Sequence, residues 1–90
     1  MKYLSKDYKI INIKENEFNC IRIEKNNDFG FKKFKTKTSF NVCNDNLGVI
    51  ESFNTNEEAR VFVNWLILCL DGRTHMLYGD FLGYKDEGNK

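Results

Sequence analysis

Aromatic and cationic side chains interleave in one segment, Asp28-Phe29-Gly30-Phe31-Lys32-Lys33-Phe34-Lys35-Thr36-Lys37. On an extended chain, flat rings stack on unpaired bases at about 1–3 kcal/mol each, while ammonium groups neutralise phosphates. Residues 25–43 hold five lysines against the single Asp28, a local charge of +4. Phe29, Phe31, Lys32, Lys33, Lys35 and Lys37 are therefore candidate contacts, either to single-stranded nucleic acid or to a protein partner. The same lysines also suit a solvated face that keeps a strand soluble. A second candidate is Trp65, which sits in an unusually apolar helical stretch.

Phe29-Gly30-Phe31, with Phe34 three residues later, resembles the aromatic octamer of RNA-recognition and cold-shock domains. That resemblance covers eight residues and implies Phe29 and Phe31 as stacking rings. The segment departs from the octamer at Asn27-Asp28, which replace a basic residue and a glycine. It departs again at Lys32, where the pattern has an aliphatic side chain.

Catalytic chemistry has little to stand on. Cys20, Cys43 and Cys69 are an odd number, too widely spaced for a paired framework or a zinc site. They read as free thiols, with Cys20 and Cys69 in apolar stretches where burial is expected. His75, the one histidine, has no neighbouring base–orienter arrangement. Glu15, Glu17, Glu24 and Asp28 flank expected turns, where acids are usually solvated. Rossmann and P-loop glycine patterns are absent. The expectation is a protein that is not an enzyme, with no metal and no cofactor.

The elements that would carry these residues follow from periodicity. Residues 8–14 and 17–24 read as strands joined by Glu15-Asn16 into an antiparallel hairpin. Asn26-Asn27-Asp28 reads as a turn. Phe29 to Cys43 reads as a third strand, with Phe34, Thr36, Thr38, Phe40 and Val42 on one face and the lysines on the other. Asn44-Asp45-Asn46 turns the chain into a fourth strand, Leu47 to Phe53, with Leu47, Val49 and Phe53 on one face.

Thr55 followed by Glu58 is a capping box and predicts a helix from Asn56 to about Leu70, stopped at Gly72. Only Glu57, Arg60, Asn64 and Asp71 form its polar stripe. A helix lying on one sheet is apolar over little more than a third of its circumference. This one needs cover from a second side. Met76, Tyr78, Phe81 and Tyr84 could fold over it, or the Trp65 side could form a homodimer or partner surface. Residues 74–78 read as a fifth strand, Phe81 to Tyr84 as a short continuation, and residues 85–90 as a polar, disordered tail.

The expected fold is α+β: one antiparallel sheet of four to five strands with one apolar helix across a face, in a single domain over residues 1–84. Ninety residues leave no room for a second core. The apolar fraction of 41% and the eight Phe, four Tyr and one Trp exclude a disordered chain. Net charge of +1 selects neither nucleic acid nor membrane. Met1–Asp7 has no apolar stretch for a signal peptide, and Val61–Leu70 is too short to span a bilayer. A cytoplasmic protein is expected.

Asn, Lys and Ile are plentiful while Ala occurs once and Pro not at all, which points to an A/T-rich genome. Size, coding bias and the lack of catalytic residues resemble small phage or mobile-element proteins, including anti-CRISPR and other anti-defence inhibitors. This resemblance is of type, and no motif carries it. It implies a protein that binds and occludes a host protein, such as part of a nucleic-acid-processing complex. The alternative is a nucleic-acid-binding accessory protein.

Overall fold

The computed structural model describes residues 1–29, 36–69 and 75–88, with side chains for 1–26, 38–69 and 75–86. The chain is α+β. Strands β1 (Lys2–Leu4) and β2 (Ile10–Asn12) precede a 3-10 turn over Glu15–Cys20. Strands β3 (Arg22–Phe29), β4 (Thr36–Asn44) and β5 (Gly48–Phe53) lead to helix α1 (Asn56–Leu68). Strand β6 (His75–Leu77) and helix α2 (Tyr78–Gly88) follow. The strands form two three-stranded sheets, ordered β2-β1-β6 and β3-β4-β5, in place of the single larger sheet expected. The first has a parallel pair, β1 with β6.

The expected hairpin of 8–14 with 17–24 does not form. β2 instead turns back on β1, with Tyr3 opposite Ile11 and Leu4 opposite Ile10. Hydrogen bonds that converge on Glu17 explain the missing strand. The Lys14 N–H donates to Glu17 Oε1 at 2.8 Å, and the Asn44 side chain donates to the Glu17 carbonyl at 3.0 Å. These bonds and the burial of Phe18 tighten residues 15–20 into a 3-10 turn. Cys20, at the end of that turn, is exposed rather than buried, whereas Cys43 and Cys69 are buried.

Asn26-Asn27-Asp28 is strand rather than turn, because cross-strand pairing overrides the turn preference of these residues. They face Ser39, Thr38 and Lys37 across the β3–β4 ladder. The β4–β5 turn forms as expected. Asn44 Oδ1 accepts from the Asn46 and Leu47 N–H groups, and Gly48 supplies the left-handed residue at φ +74°.

One irregularity reorders the core. Val42 pairs with Glu51 and Cys43 with Val49, so Ile50 is an extra residue in β5. The bulge shifts the side-chain alternation. Val49, expected to share a face with Phe53, is exposed while Phe53 is buried, and Ile50 and Glu51 both turn inward.

Helix α1 starts as the capping signal predicts: Thr55 Oγ1 accepts from the Glu58 N–H at 3.2 Å. The Glu58 carboxylate accepts from Lys85 Nζ at 3.3 Å, which ties α2 to the first turn of α1. Its buried face is Ala59, Phe62, Trp65 and Leu66. The Phe62 ring lies 5.6 Å from Tyr3, 5.1 Å from Phe53 and 5.0 Å from Phe81. Both sheets and α2 thus close on one helix. Met76 and Phe81 are fully buried and Tyr78 packs at the edge of the cluster, while Tyr84 stays partly exposed.

Residues 78–88, read as a short strand and a polar tail, are helical. The Leu77 N–H donates to Asp80 Oδ2 at 3.0 Å, the return bond of a capping box, and burial of Phe81 outweighs the low helix propensity of the interior glycines Gly79 and Gly83. The Gly72 stop and the start of the fifth strand lie outside the described residues.

A buried polar contact joins the sheets. The Tyr3 hydroxyl donates to Glu51 Oε2, which also accepts the Lys6 N–H at 3.2 Å. Lys6 Nζ donates to the Ser52 carbonyl and lies 5.0 Å above the Phe53 ring. Burial, followed by the bond to Glu51, raises the Tyr3 phenol well above its ordinary value. Folding therefore favours neutral Tyr3. This contribution is complete below the unfolded tyrosine pKa of about 10 and is lost as pH rises above it. Tyr3→Phe should cost about 1–3 kcal/mol in urea unfolding at neutral pH. It should also flatten the fall in stability above pH ~10 relative to wild type; an unchanged alkaline slope would contradict this role for the phenol.

Candidate interaction surface

Strand alternation fixes what the small sheet shows to solvent. Tyr3, Ile11 and Met76 are in register and point into the core. The rows on either side must then point out. One row is Ile10–Leu4–Leu77 and the other is Asn12–Lys2–His75. The first is an aliphatic line across three strands, with Ile10 74% and Leu77 51% exposed. No described element covers it.

Tyr8 extends this line. It lies in the β1–β2 turn, where the Tyr8 N–H donates to the Ser5 carbonyl and the Lys9 N–H to Ser5 Oγ. Closing the turn puts Tyr8 at φ +63°, a left-handed conformation that costs a bulky side chain about 1–3 kcal/mol. Its ring is nevertheless 85% exposed, so core packing does not repay that strain.

Two adjoining depressions mark the surface. One, of about 200 Å³, is lined by Lys2, Tyr3, Leu4, Ile10, His75, Met76 and Leu77. The other, of about 240 Å³, is lined by Leu4, Ser5, Lys6, Tyr8, Leu77, Tyr78 and Gly79. Leu4 and Leu77 are shared. Neither lining holds an aspartate or glutamate. Lys2 has no ion pair among the described residues.

The sequence candidates are distributed differently. Trp65 is only 3% exposed and lies in the core, 5.5 Å from Phe81 and 6.2 Å from Tyr3. It packs inward because α2 and β1 close over that side of α1. The large apolar residues of α1 left exposed are Ile67 and Leu68, in its last turn. Phe29 pairs with Thr36 and Lys37 with Asp28 at the far end of the β3–β4 ladder. Phe31, Lys32, Lys33 and Lys35 lie outside the described residues.

A separate cleft of about 490 Å³ runs between α1 and α2, lined by Trp65, Leu68, Cys69, Gly79, Asp80, Gly83 and Tyr84. Its one carboxylate, Asp80, already holds the Leu77 N–H. Burial raises the Cys43 thiol, which donates to the Arg22 carbonyl, so the nucleophilic thiolate is disfavoured there. His75 is exposed on the small sheet, while Cys43 belongs to the other sheet. Among the described residues no cluster of His, Cys, Asp or Glu could hold a metal ion, and no helix is long and apolar enough to cross a membrane.

Leu4, Tyr8, Ile10 and Leu77 were not legible as a site in the sequence. They come from three short strands and a turn that meet only through pairing of the two ends of the chain. The available signal was Lys2-Tyr3-Leu4, three residues of alternation, too short to distinguish from a loop. Comparison of the chain with protein-family models, curated proteins and solved structures gave no match.

Replacing Tyr8 with glycine tests whether the turn is strained for the sake of its side chain. Tyr8→Gly should raise stability in urea unfolding by about 1 kcal/mol, since glycine adopts φ > 0 freely. A destabilised variant would mean that the ring supports the fold.

Proposed function

We propose that this chain is a small non-enzymatic binding protein that docks on a host protein and occludes part of it. The outer face of the β2-β1-β6 sheet is the docking surface. The observation that carries this reading is the register-aligned row Ile10–Leu4–Leu77, exposed beside the strained and exposed Tyr8. Contiguous apolar surface on a small protein is costly to leave in water and marks interaction sites. Aromatic and aliphatic anchors of this kind carry most of the energy in protein interfaces. The A/T-rich coding bias and small size support an origin in a phage or mobile element, with an anti-defence target in the host cytoplasm.

Co-purification from a low-GC bacterial lysate, followed by mass spectrometry, tests the proposal. Wild type should recover a stoichiometric protein that the Ile10→Asp/Leu77→Asp double variant does not. Equal recovery by both would remove this face as the docking surface.

A second reading, single-stranded nucleic-acid binding through Phe29, Phe31 and the lysine segment, draws on the local +4 charge of residues 25–43. It predicts that labelled single-stranded DNA or RNA binds at low salt. Affinity should then fall linearly on a log–log plot as salt rises. Fluorescence anisotropy without binding at low salt would end this reading.

A further inference from the structure

The outer face of the small sheet has dimensions and charge that specify an occupant. We propose that it seats an amphipathic helix of a partner protein, with apolar residues at i, i+4 and i+7 and carboxylates along one flank. This rests on the reading of the chain as a protein-binding module and adds the chemistry of the partner.

The length match comes first. Ile10, Leu4 and Leu77 lie directly opposite one another on three adjacent strands. Two strand spacings separate the ends of the row by about 9.5 Å. Seven residues of helix rise about 10.5 Å, so side chains at i and i+7 meet the two ends and i+4 meets the middle. Tyr8, at the turn, lies alongside Leu4 and Leu77 in the second depression, on the side of the row opposite Lys2, and can pack against that flank of the helix.

Charge supplies the flank. The row holding Lys2 lies two residues along the strands from the aliphatic row, about 7 Å away. That is the offset between the apolar stripe of a helix and its polar border. Lys2 has no carboxylate partner among the described residues, and no acid lines either depression. The Lys6 ammonium is held by the Ser52 carbonyl and the Glu51 carboxylate, which leaves Lys2 as the lysine of the two linings without a carboxylate partner among the described residues. An acidic flank on the partner complements it. A second copy of this chain would instead set Lys2 against a lining without acids, and like charges across an interface oppose association.

The test uses the full chain and two fluorescent helical peptides of about four turns. Both carry leucine at i, i+4 and i+7; one has a glutamate flank and the other a lysine flank. Anisotropy should show the glutamate peptide binding about fivefold more tightly, the scale of one exposed ion pair exchanged for a like-charge pair. Lys2→Glu should reverse that preference, and Leu77→Asp should abolish binding of both peptides while circular dichroism shows both variants folded. Equal affinity for the two peptides, or no binding of the glutamate peptide, would overturn the proposal. So would a dimer in sedimentation that Leu77→Asp dissolves, or binding of phosphatidylserine vesicles through the same residues. If the lysate capture succeeds and depends on Ile10 and Leu77 while the peptide fails, the docking surface stands and only the helical, acidic partner is wrong. If both fail, the binding reading falls with it.

Discussion

Four elements meet at the Phe62 ring. Tyr3 comes from the small sheet, Phe53 from the large one, Phe81 from α2 and Trp65 from the next turn of α1. This convergence answers a constraint set by the helix itself. Its apolar girth is too wide for one sheet, and each such side chain left in water would forgo ~1.5–3 kcal/mol of burial. A single flat sheet covers one side of a helix. Two small sheets and a second helix cover it from several directions, which is why the strands divide as they do.

The polar interior is arranged around the same meeting point. The bulge at Ile50 turns Glu51 inward, and a carboxylate there must be satisfied or the core is destabilised. Tyr3 supplies the hydroxyl and the Lys6 backbone supplies an N–H, so Glu51 clasps the β1 end of the small sheet to β5. The Lys6 side chain then lies over the Phe53 and Tyr78 rings and shields the junction.

This inner bond also creates the outer surface. Once Tyr3 is committed to the core, the period of two along β1 sends Lys2 and Leu4 outward, and pairing aligns Ile10 and Leu77 with Leu4. The apolar row is therefore a consequence of how the core is anchored, and the Tyr8 turn that closes the hairpin adds an aromatic ring beside it.

Local signals in the sequence were sufficient for the elements that depend on neighbours along the chain. Thr55 and Glu58 marked the start of α1, the crowding of apolar residues after it demanded cover on two sides, and Asn44-Asp45-Asn46 marked the β4–β5 turn. These readings hold because capping and turn hydrogen bonds are made within a few residues. The division into two sheets, the inward turn of Glu51, the burial of Trp65 and the helical state of residues 78–88 depended on contacts between distant segments. So did the candidate surface, assembled from residues 2–12 and 75–77. Three-residue strands carry too little periodicity to be read alone. What placed them was the core they closed over, and that exists only once the chain has folded.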